Sequence, residues 1–292
     1  MRESSLLPAA WPPTSYTLLD FGGGRKLEQF GSVRLDRPCP AARAIQPSAP
    51  HLWDSAAIRV DRAGKPSREP PQHWEIRVAP QVRFRLRVTP FGHVGVFPEQ
   101  ISNWNWITQY LRRCGGAEKR VLNLFAYTGG ATMAALLGGA SQVVHVDASE
   151  PAVKWARANA RLSGWQDAPV RWIVDDARKF VRREYRRGRT YDLVIMDPPT
   201  WGHGSRGQRW EIARDLESLL VDCSALVRSS SSAAMLVSAH CTAPHPSQIA
   251  TWLAAAMDQP ATAQRLQLPC ADGRQLDAGF AVRCVAPEVA SR

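Results

Sequence analysis

Lysine is scarce in this chain. Its 292 residues hold five lysines against 32 arginines, so most of the formal net charge of +11 rests on guanidinium groups. A charge of this sign suits a polyanionic partner, although a composition bias of the genome would give the same count. Paired cysteines are missing too. Cys39, Cys114, Cys223, Cys241, Cys270 and Cys284 form no C-x-x-C pair and no disulfide-like spacing, which argues against a structural zinc and suits a reducing compartment. No run approaches the ~20 apolar residues of a membrane helix. The opening M-R-E-S-S-L-L-P-A-A-W-P-P places prolines where a signal peptide needs an apolar core. The expectation is a cytoplasmic protein with neither membrane nor metal partner. No G-K-[ST] follows Gly22-Gly23-Gly24, so that triplet reads as a hairpin turn and not as a phosphate loop. The G-x-G-x-x-G fingerprint is absent as well, which counts against nicotinamide chemistry. There is no internal repeat.

What is present is globular, with 45% hydrophobic and 22% charged residues, and the length allows one large domain and a smaller one. The stretch from Val121 to Ala140 begins as an apolar run, breaks at Thr128-Gly129-Gly130 and resumes at helical spacing. A buried strand entering a helix through a glycine turn is the first unit of a doubly wound α/β domain. Three further apolar runs reach acidic residues: Q-V-V-H-V-D at Asp147, V-R-W-I-V-D-D at Asp176 and Y-D-L-V-I-M-D at Asp197, the last followed by Pro198-Pro199. One such aspartate could be a helix cap. The ordered set reads as a nucleoside-type cofactor site along the carboxyl edge of a sheet, with a polar reaction edge beside it.

These residues carry a resemblance. N-L-F-A-Y-T-G-G, H-V-D-A-S, V-D-D-A-R and M-D-P-P-T-W resemble the successive motifs of class I S-adenosylmethionine-dependent methyltransferases. More narrowly they resemble the RlmI/RlmK group that methylates large-subunit ribosomal RNA. The likeness runs from about Phe91 to Val285. It implies a Rossmann-like, doubly wound, seven-stranded methyltransferase sheet with a small N-terminal β-rich domain. It also implies S-adenosyl-L-methionine as cofactor and RNA as partner. The cofactor-binding residues so implied are Gln100, Asn123, Phe125, Tyr127, Thr128, Gly129, Asp147, Ala148, Asp176, Ala177 and Asp197. Tyr127, Thr128 and Gly129 would lie under the amino-acid part, Asp147 would accept the ribose hydroxyls, and Asp176 would accept from the adenine amino group. Gln100 stands where the family writes D-Q-R, here Glu99-Gln100-Ile101.

The catalytic residues implied are Asp197, Pro198, Pro199 and Cys241. Each proline fixes φ and lacks an N–H, which leaves the Asp197 carboxylate and nearby carbonyls to hold an exocyclic amine or a cytosine ring. In M-L-V-S-A-H-C, Cys241 aligns with the family cysteine that attacks cytosine carbon 6; a buried, incidental cysteine is the other reading. Carbon 5 and a base nitrogen therefore stay open as acceptors. A small-molecule or protein methyltransferase, or a cofactor-binding module without catalysis, also stays open.

The domain reading is 1–96 for the β-rich domain, with 1–14 a loose tail, and 97–292 for the cofactor-binding domain. In the first, V-R-F-R-L-R-V places Val82, Phe84, Leu86 and Val88 on one face and Arg83, Arg85 and Arg87 on the other. In the second, strands are expected at 120–125, 142–147, 170–174 and 191–196, helices at 130–138, 149–163 and 176–188, and a long helix over about 208–227. Trp104 and Trp106 suit helix packing or stacking. Trp201, His203, Arg206, Arg209 and Trp210 line a glycine-rich loop that suits a flipped base, a phosphate or a lid.

Overall fold

The computed structural model describes residues 15–203, 207, 209–227 and 233–286. The tail expected over 1–14 and Arg206 lie outside these residues. The chain divides into two units. One holds the chain up to Ser102 with Ala158–Gln166 and Leu266–Ala278; the other holds Asn103–Arg157, Asp167–Arg265 and the chain from Gly279. The sequence alone suggests a single boundary at 96/97. It has no means of assigning 158–166 or 266–278 to the first unit, because those segments are distant in the chain.

In the first unit, β1 (Tyr16–Gly22), β2 (Arg25–Phe30), β3 (Val33–Pro38) and β4 (Ile58–Arg59) form a sheet in that order. Gly22 pairs with Arg25 across a two-residue turn in which Gly23 and Gly24 have φ of 58° and 78°. That is the hairpin turn only glycine-like residues enter easily. Leu18, Phe21, Leu27, Phe30 and Leu35 are buried, each stabilising by roughly 1.5–3 kcal/mol relative to exposure. Among them Glu28 takes a hydrogen bond from Arg37 Nε at 2.5 Å and one from Tyr16 at 2.9 Å, with Lys26 Nζ at 3.1 Å. The connection from β3 to β4, which holds Pro40, Pro47 and Pro50, is fastened by Asp20, which accepts from Ala49 N at 2.9 Å and Trp53 Nε1 at 2.8 Å and pairs with Arg274. β5 (Glu75–Ala79) and β6 (Val82–Arg85) make a separate two-stranded ribbon. Val82, Phe84 and Leu86 are buried and Arg83, Arg85 and Arg87 are exposed, as alternation requires.

After helix α1 (Ile101–Arg113) the chain alternates β7 (Arg120–Leu124), α2 (Gly130–Leu137), β8 (Gln142–Asp147), α3 (Glu150–Leu162), β9 (Val170–Val174), α4 (Ala177–Arg186) and β10 (Leu193–Met196). There follow β11 (Trp201–His203), β12 (Arg209–Glu211), α5 (Ile212–Ser224), β13 (Ala234–Ala239), α6 (Pro246–Met257), β14 (Ala261–Pro269) and β15 (Gln275–Val285). The seven-stranded sheet has the order β14-β15-β13-β10-β7-β8-β9, with β13 to β9 parallel and β15 antiparallel to β13. β10 and β13 are buried at every residue, the pattern of strands covered on both faces.

One expectation is corrected. The helix expected from about 208 begins at Ile212, because Arg209–Glu211 is a strand paired with Trp201–His203. Trp210 is buried between an exposed Arg209 and a half-buried Glu211, a period of two that three residues are too few to announce. The tryptophans of α1 are packing residues: Trp104 is buried, and Trp106 stacks on Tyr110 with centroids 5.1 Å apart.

Candidate active site

Strand register sets the site. Leu124 pairs with Met196 and with Val146, and Met196 pairs with Val237. The next residues along these strands, Phe125, Asp197, Asp147 and Ser238, therefore come to one level at the carboxyl edge. Strand order reverses between β7 and β10, and that reversal is where open α/β sheets leave a crevice for ligands.

The turn after β7 is held in an unusual backbone. Phe125 and Tyr127 have φ of 54° and 47°, and Gly129 has φ of 92°. Left-handed conformations in bulky residues are costly and persist where the surroundings over-determine them. Here Ala126 N bonds Val146 O at 3.1 Å, Tyr127 N bonds Asp147 Oδ2 at 2.8 Å, and Gly129 N bonds Ala126 O at 3.0 Å. The Phe125 ring packs 4.9 Å from that of Trp210 and the Tyr127 ring 6.1 Å from Trp155. The glycines answer to packing: a Cβ on Gly129 would stand 3.2 Å from that of Ala156, and one on Gly130 would stand 2.2 Å from Trp104 Cζ2. Thr128 is buried in the turn. Asn123 lies beneath it, giving Nδ2 to Thr132 Oγ1 at 3.0 Å, which is 2.9 Å from His145 Nδ1. Its side chain thereby ties β7 to α2.

Asp147 is the hub of this edge. Its Oδ2 takes the Tyr127 amide and its Oδ1 the Ser149 amide, both at 2.8 Å. Burial pushes its carboxyl above the usual carboxylate range, and these two amides oppose the shift. Each carboxylate oxygen has two acceptor sites, so one remains on each, and half-buried Ala148 follows. This acceptor geometry fits a vicinal diol, whose two hydroxyls donate. After β9, Asp176 caps α4 by accepting the Lys179 amide on Oδ1 at 3.1 Å, and buried Ala177 opens the helix. The capping role uses one oxygen and leaves the second.

On the other side of the crevice, Asp197 is half-buried, Pro198 buried and Pro199 exposed. Ser238 Oγ donates to Asp197 Oδ1 at 2.7 Å. The following residues are pinned: Trp210 Nε1 donates to Pro199 O at 2.7 Å and Thr200 Oγ1 to His240 O at 3.1 Å. Trp201 is 69% exposed, while Trp210 is buried beneath Arg178. Ser238 is the residue sequence reasoning missed. Its signal is its place one step past Val237, the partner of Met196, and that pairing is invisible before the sheet is known.

Cys241 stands beyond the end of β13, half-buried, with Sγ 3.7 Å from Pro244 O. It packs against the core between the sheet and its helices. Burial pushes its thiol up. Gln100 belongs to the first unit, buried at the end of the turn Pro98–Gln100. A cleft between α4 and α5, lined by Val181, Tyr185 and Val221, contains none of these residues. Among the described residues no cluster of His, Cys, Asp and Glu stands ready for a metal, and no helix is long and apolar enough to cross a membrane.

The sheet order, the left-handed turn after its first strand and the acids at its carboxyl edge define an α/β protein built to hold a nucleoside-bearing cofactor at the switch point. The chain belongs to the S-adenosylmethionine-dependent methyltransferase family, which it matches over residues 28–238. It is similar to the SAM-dependent methyltransferase from Agrobacterium tumefaciens, at 32% identity and a TM-score of 0.87 over 94% of this chain and 92% of that one. It is similar to Ribosomal RNA large subunit methyltransferase I of Photobacterium profundum, 49% identical over 81 residues, 28% of this chain and 20% of that protein. It is also similar to Ribosomal RNA large subunit methyltransferase K/L of Shewanella frigidimarina, 32% identical over 139 residues, 47% and 18% of the two. The matches thus span about a fifth of the length of these two ribosomal RNA methyltransferases.

Proposed function

We propose that this chain transfers the methyl group of S-adenosylmethionine to a base of ribosomal RNA. The observation that carries this reading is the Asp197-Pro198-Pro199 edge, braced by Ser238 and level with Asp147 across the switch point. When bound, S-adenosylmethionine supplies an electrophilic methyl on a sulfonium, which departs as a neutral thioether while the acceptor's electron pair forms the new bond. The protein's task is to align acceptor and methyl and to exclude water. Asp147 would hold the ribose hydroxyls, Asp176 and the Ala177 amide the adenine, and the Phe125–Gly129 backbone the amino-acid portion. Asp197 would accept a hydrogen bond from the acceptor base and so orient the attacking electron pair. Exposed Trp201, four residues on, offers a ring for that base to stack on.

The RNA substrate is supported by the +11 charge and by the names of the curated relatives. Such a substrate places the protein's work in the cytoplasm. A base nitrogen is the acceptor favoured here, because Cys241 has burial around its thiol and its Sγ on a carbonyl, the opposite of the electropositive setting that activates a cysteine nucleophile. Carbon 5 of cytosine is the second reading, kept because Cys241 follows the strand that carries Ser238. The test is transfer of labelled methyl from S-adenosylmethionine into RNA, protein and small-molecule fractions of source cells lacking the gene. Label in RNA supports the proposal, and nuclease digestion then names the atom. Label confined to another fraction overturns the RNA substrate and leaves a methyltransferase of different acceptor; label in none supports a cofactor-binding module.

A further inference from the structure

We propose that the outward face of the β5–β6 ribbon is a docking surface for the sugar-phosphate backbone of single-stranded RNA. The proposal rests on the RNA reading above and assigns to the first unit a contact separate from the acceptor site. Alternation turns Arg83 and Arg85 outward from β6, and Arg87 follows in the same phase just past the strand; all three are exposed. From β5 the same face receives Glu75 and Arg77. Glu75 lies opposite Arg85 and takes a hydrogen bond from it at 3.0 Å. Arg77 lies directly opposite Arg83.

Like charges facing each other across a ribbon destabilise it. The outward residues of this face are four arginines and one carboxylate, a balance that suits an anionic ligand, and an anion lying near Arg77 and Arg83 would offset their mutual repulsion. The spacing suits a chain of anions better than a single one. Alternate residues of a strand stand about 6.6 Å apart, the order of the step between successive phosphates of an extended nucleic acid strand. The guanidinium fork is the side chain best matched to a phosphate.

The ribbon also leads into aromatic surface. Past Arg87, whose N–H bonds Val94 O, the chain turns through Thr89–His93, and Phe91 at this turn is 84% exposed. His93 lies between Phe91 and Phe97, with ring centroids 6.5 Å and 5.2 Å away. Arginines followed along the chain by an exposed ring supply both means by which proteins hold single strands, phosphates on the charges and bases on the ring. An acidic peptide would use the charges but gives Phe91 no comparable role, so RNA is the occupant the face favours.

The experiment measures binding of the full chain to a fluorescein-labelled oligouridine by anisotropy across a salt series. The wild type is compared with the double variant Arg83→Gln/Arg87→Gln and with Phe91→Ala. Thermal melting and S-adenosylmethionine affinity, expected unchanged, report that the variants are folded. The double variant should bind about tenfold more weakly at low salt, with the logarithmic salt slope shallower by about 1.4, two phosphates at ~0.7 each. Phe91→Ala should weaken binding with the slope unchanged. If the wild type methylates RNA and the double variant binds oligouridine equally well, the ribbon proposal fails and the RNA reading stands. If the variant loses binding of poly-glutamate and keeps that of oligouridine, the face belongs to an acidic protein and the proposal is overturned. If the wild type neither binds nor methylates any RNA, the RNA reading itself fails.

Discussion

Ser238 holds Asp197 by a 2.7 Å hydrogen bond that the sheet register dictates. Met196 of β10 pairs with Val237 of β13, so the residues one step on stand side by side as the strands end, one an acceptor and the other a donor. Removing the hydroxyl leaves the carboxylate in place with one restraint fewer. A hydrogen bond to a charged group contributes about 1.5–3 kcal/mol, and the misalignment should appear in the transfer step. Ser238→Ala is expected to keep S-adenosylmethionine affinity within about twofold and to lower methyl transfer by about tenfold or more, with Ser238→Thr restoring part of it. Calorimetry and single-turnover transfer separate the two effects. Equal loss of affinity and rate would show instead that Ser238 shapes the cofactor pocket.

Asp147 should give cofactor binding its pH dependence. Burial raises its carboxyl above the ordinary range despite two amide hydrogen bonds, and the diol needs the ionised acceptor. Affinity should therefore fall as pH drops through this raised value, at a higher pH than an exposed aspartate of about 3.9 would give. The stability of the free protein carries the opposite sign. Between the ordinary and the raised value the folded state binds more protons than the unfolded state, so this group's contribution declines as pH rises. Asp147→Ala removes the dependence and most of the affinity. Wild-type affinity in that variant, measured by calorimetry, would remove Asp147 from the cofactor site.

The sheet is readable in the sequence because β8 and β10 are buried along nearly their whole length and so appear as largely apolar runs, each reaching an aspartate. Asp147 and Asp197 can be singled out for that reason. Three features cannot. Ser238 matters through a pairing between strands some forty residues apart, and no local pattern reports which strands are neighbours. Trp201 and Trp210 read as lining one loop, yet three-residue strands place the first in solvent and bury the second on Phe125. Asn123 lies inside a readable strand, and its amide turns down to Thr132. That direction depends on a helix residue nine positions later.

Cys241 divides the two acceptor chemistries. With its thiol pushed up by burial, little thiolate exists at neutral pH, and a covalent attack would have to generate it within the complex. Cys241→Ala is expected to retain methyl transfer to RNA within a few-fold and to melt slightly lower, since the side chain fills space against the core. Abolished transfer with unchanged cofactor affinity would instead establish the carbon-5 route, and a denaturation-resistant adduct between the wild type and a 5-fluorocytosine RNA would corroborate it.

Gly130 should tolerate no side chain. It begins α2, and an added Cβ would stand 2.2 Å from Cζ2 of the buried Trp104. No rotamer of a single methyl group relieves such a contact, so the indole or the helix must shift. Overpacking of this kind costs about 1–3 kcal/mol. Gly130→Ala should lower the melting temperature and, by moving the turn that α2 follows, weaken cofactor binding as well. Trp104→Phe in the same chain should recover part of both. A Gly130→Ala protein that melts with the wild type would mean that this helix start is looser than the packing around it.

Glu28 tests the first unit in isolation from the chemistry. Its side chain is fully buried and that of Arg37 is 7% exposed, so each is the other's main compensation for leaving water. Burial alone would raise the Glu28 carboxyl, but Arg37 and Lys26 outweigh it and hold the group at about 2 against an ordinary 4.5. A depressed carboxyl contributes stability that is fully present above the unfolded value and is lost as pH falls through the folded one. The stability of the first unit should decline from about pH 4.5 downward. Glu28→Gln keeps the shape, removes the charge and leaves Arg37 buried without its anion, a change expected to cost about 3–5 kcal/mol. The same variant should flatten the acid limb, since the group that titrates is gone. Urea unfolding at neutral pH and in the acid limb, read by hydrogen exchange of the β1–β3 amides, measures both effects. An unchanged acid limb in Glu28→Gln would assign that limb to Asp20, which is likewise held at about 2, with Trp53 and the Ala49 and Ser48 amides offsetting its burial.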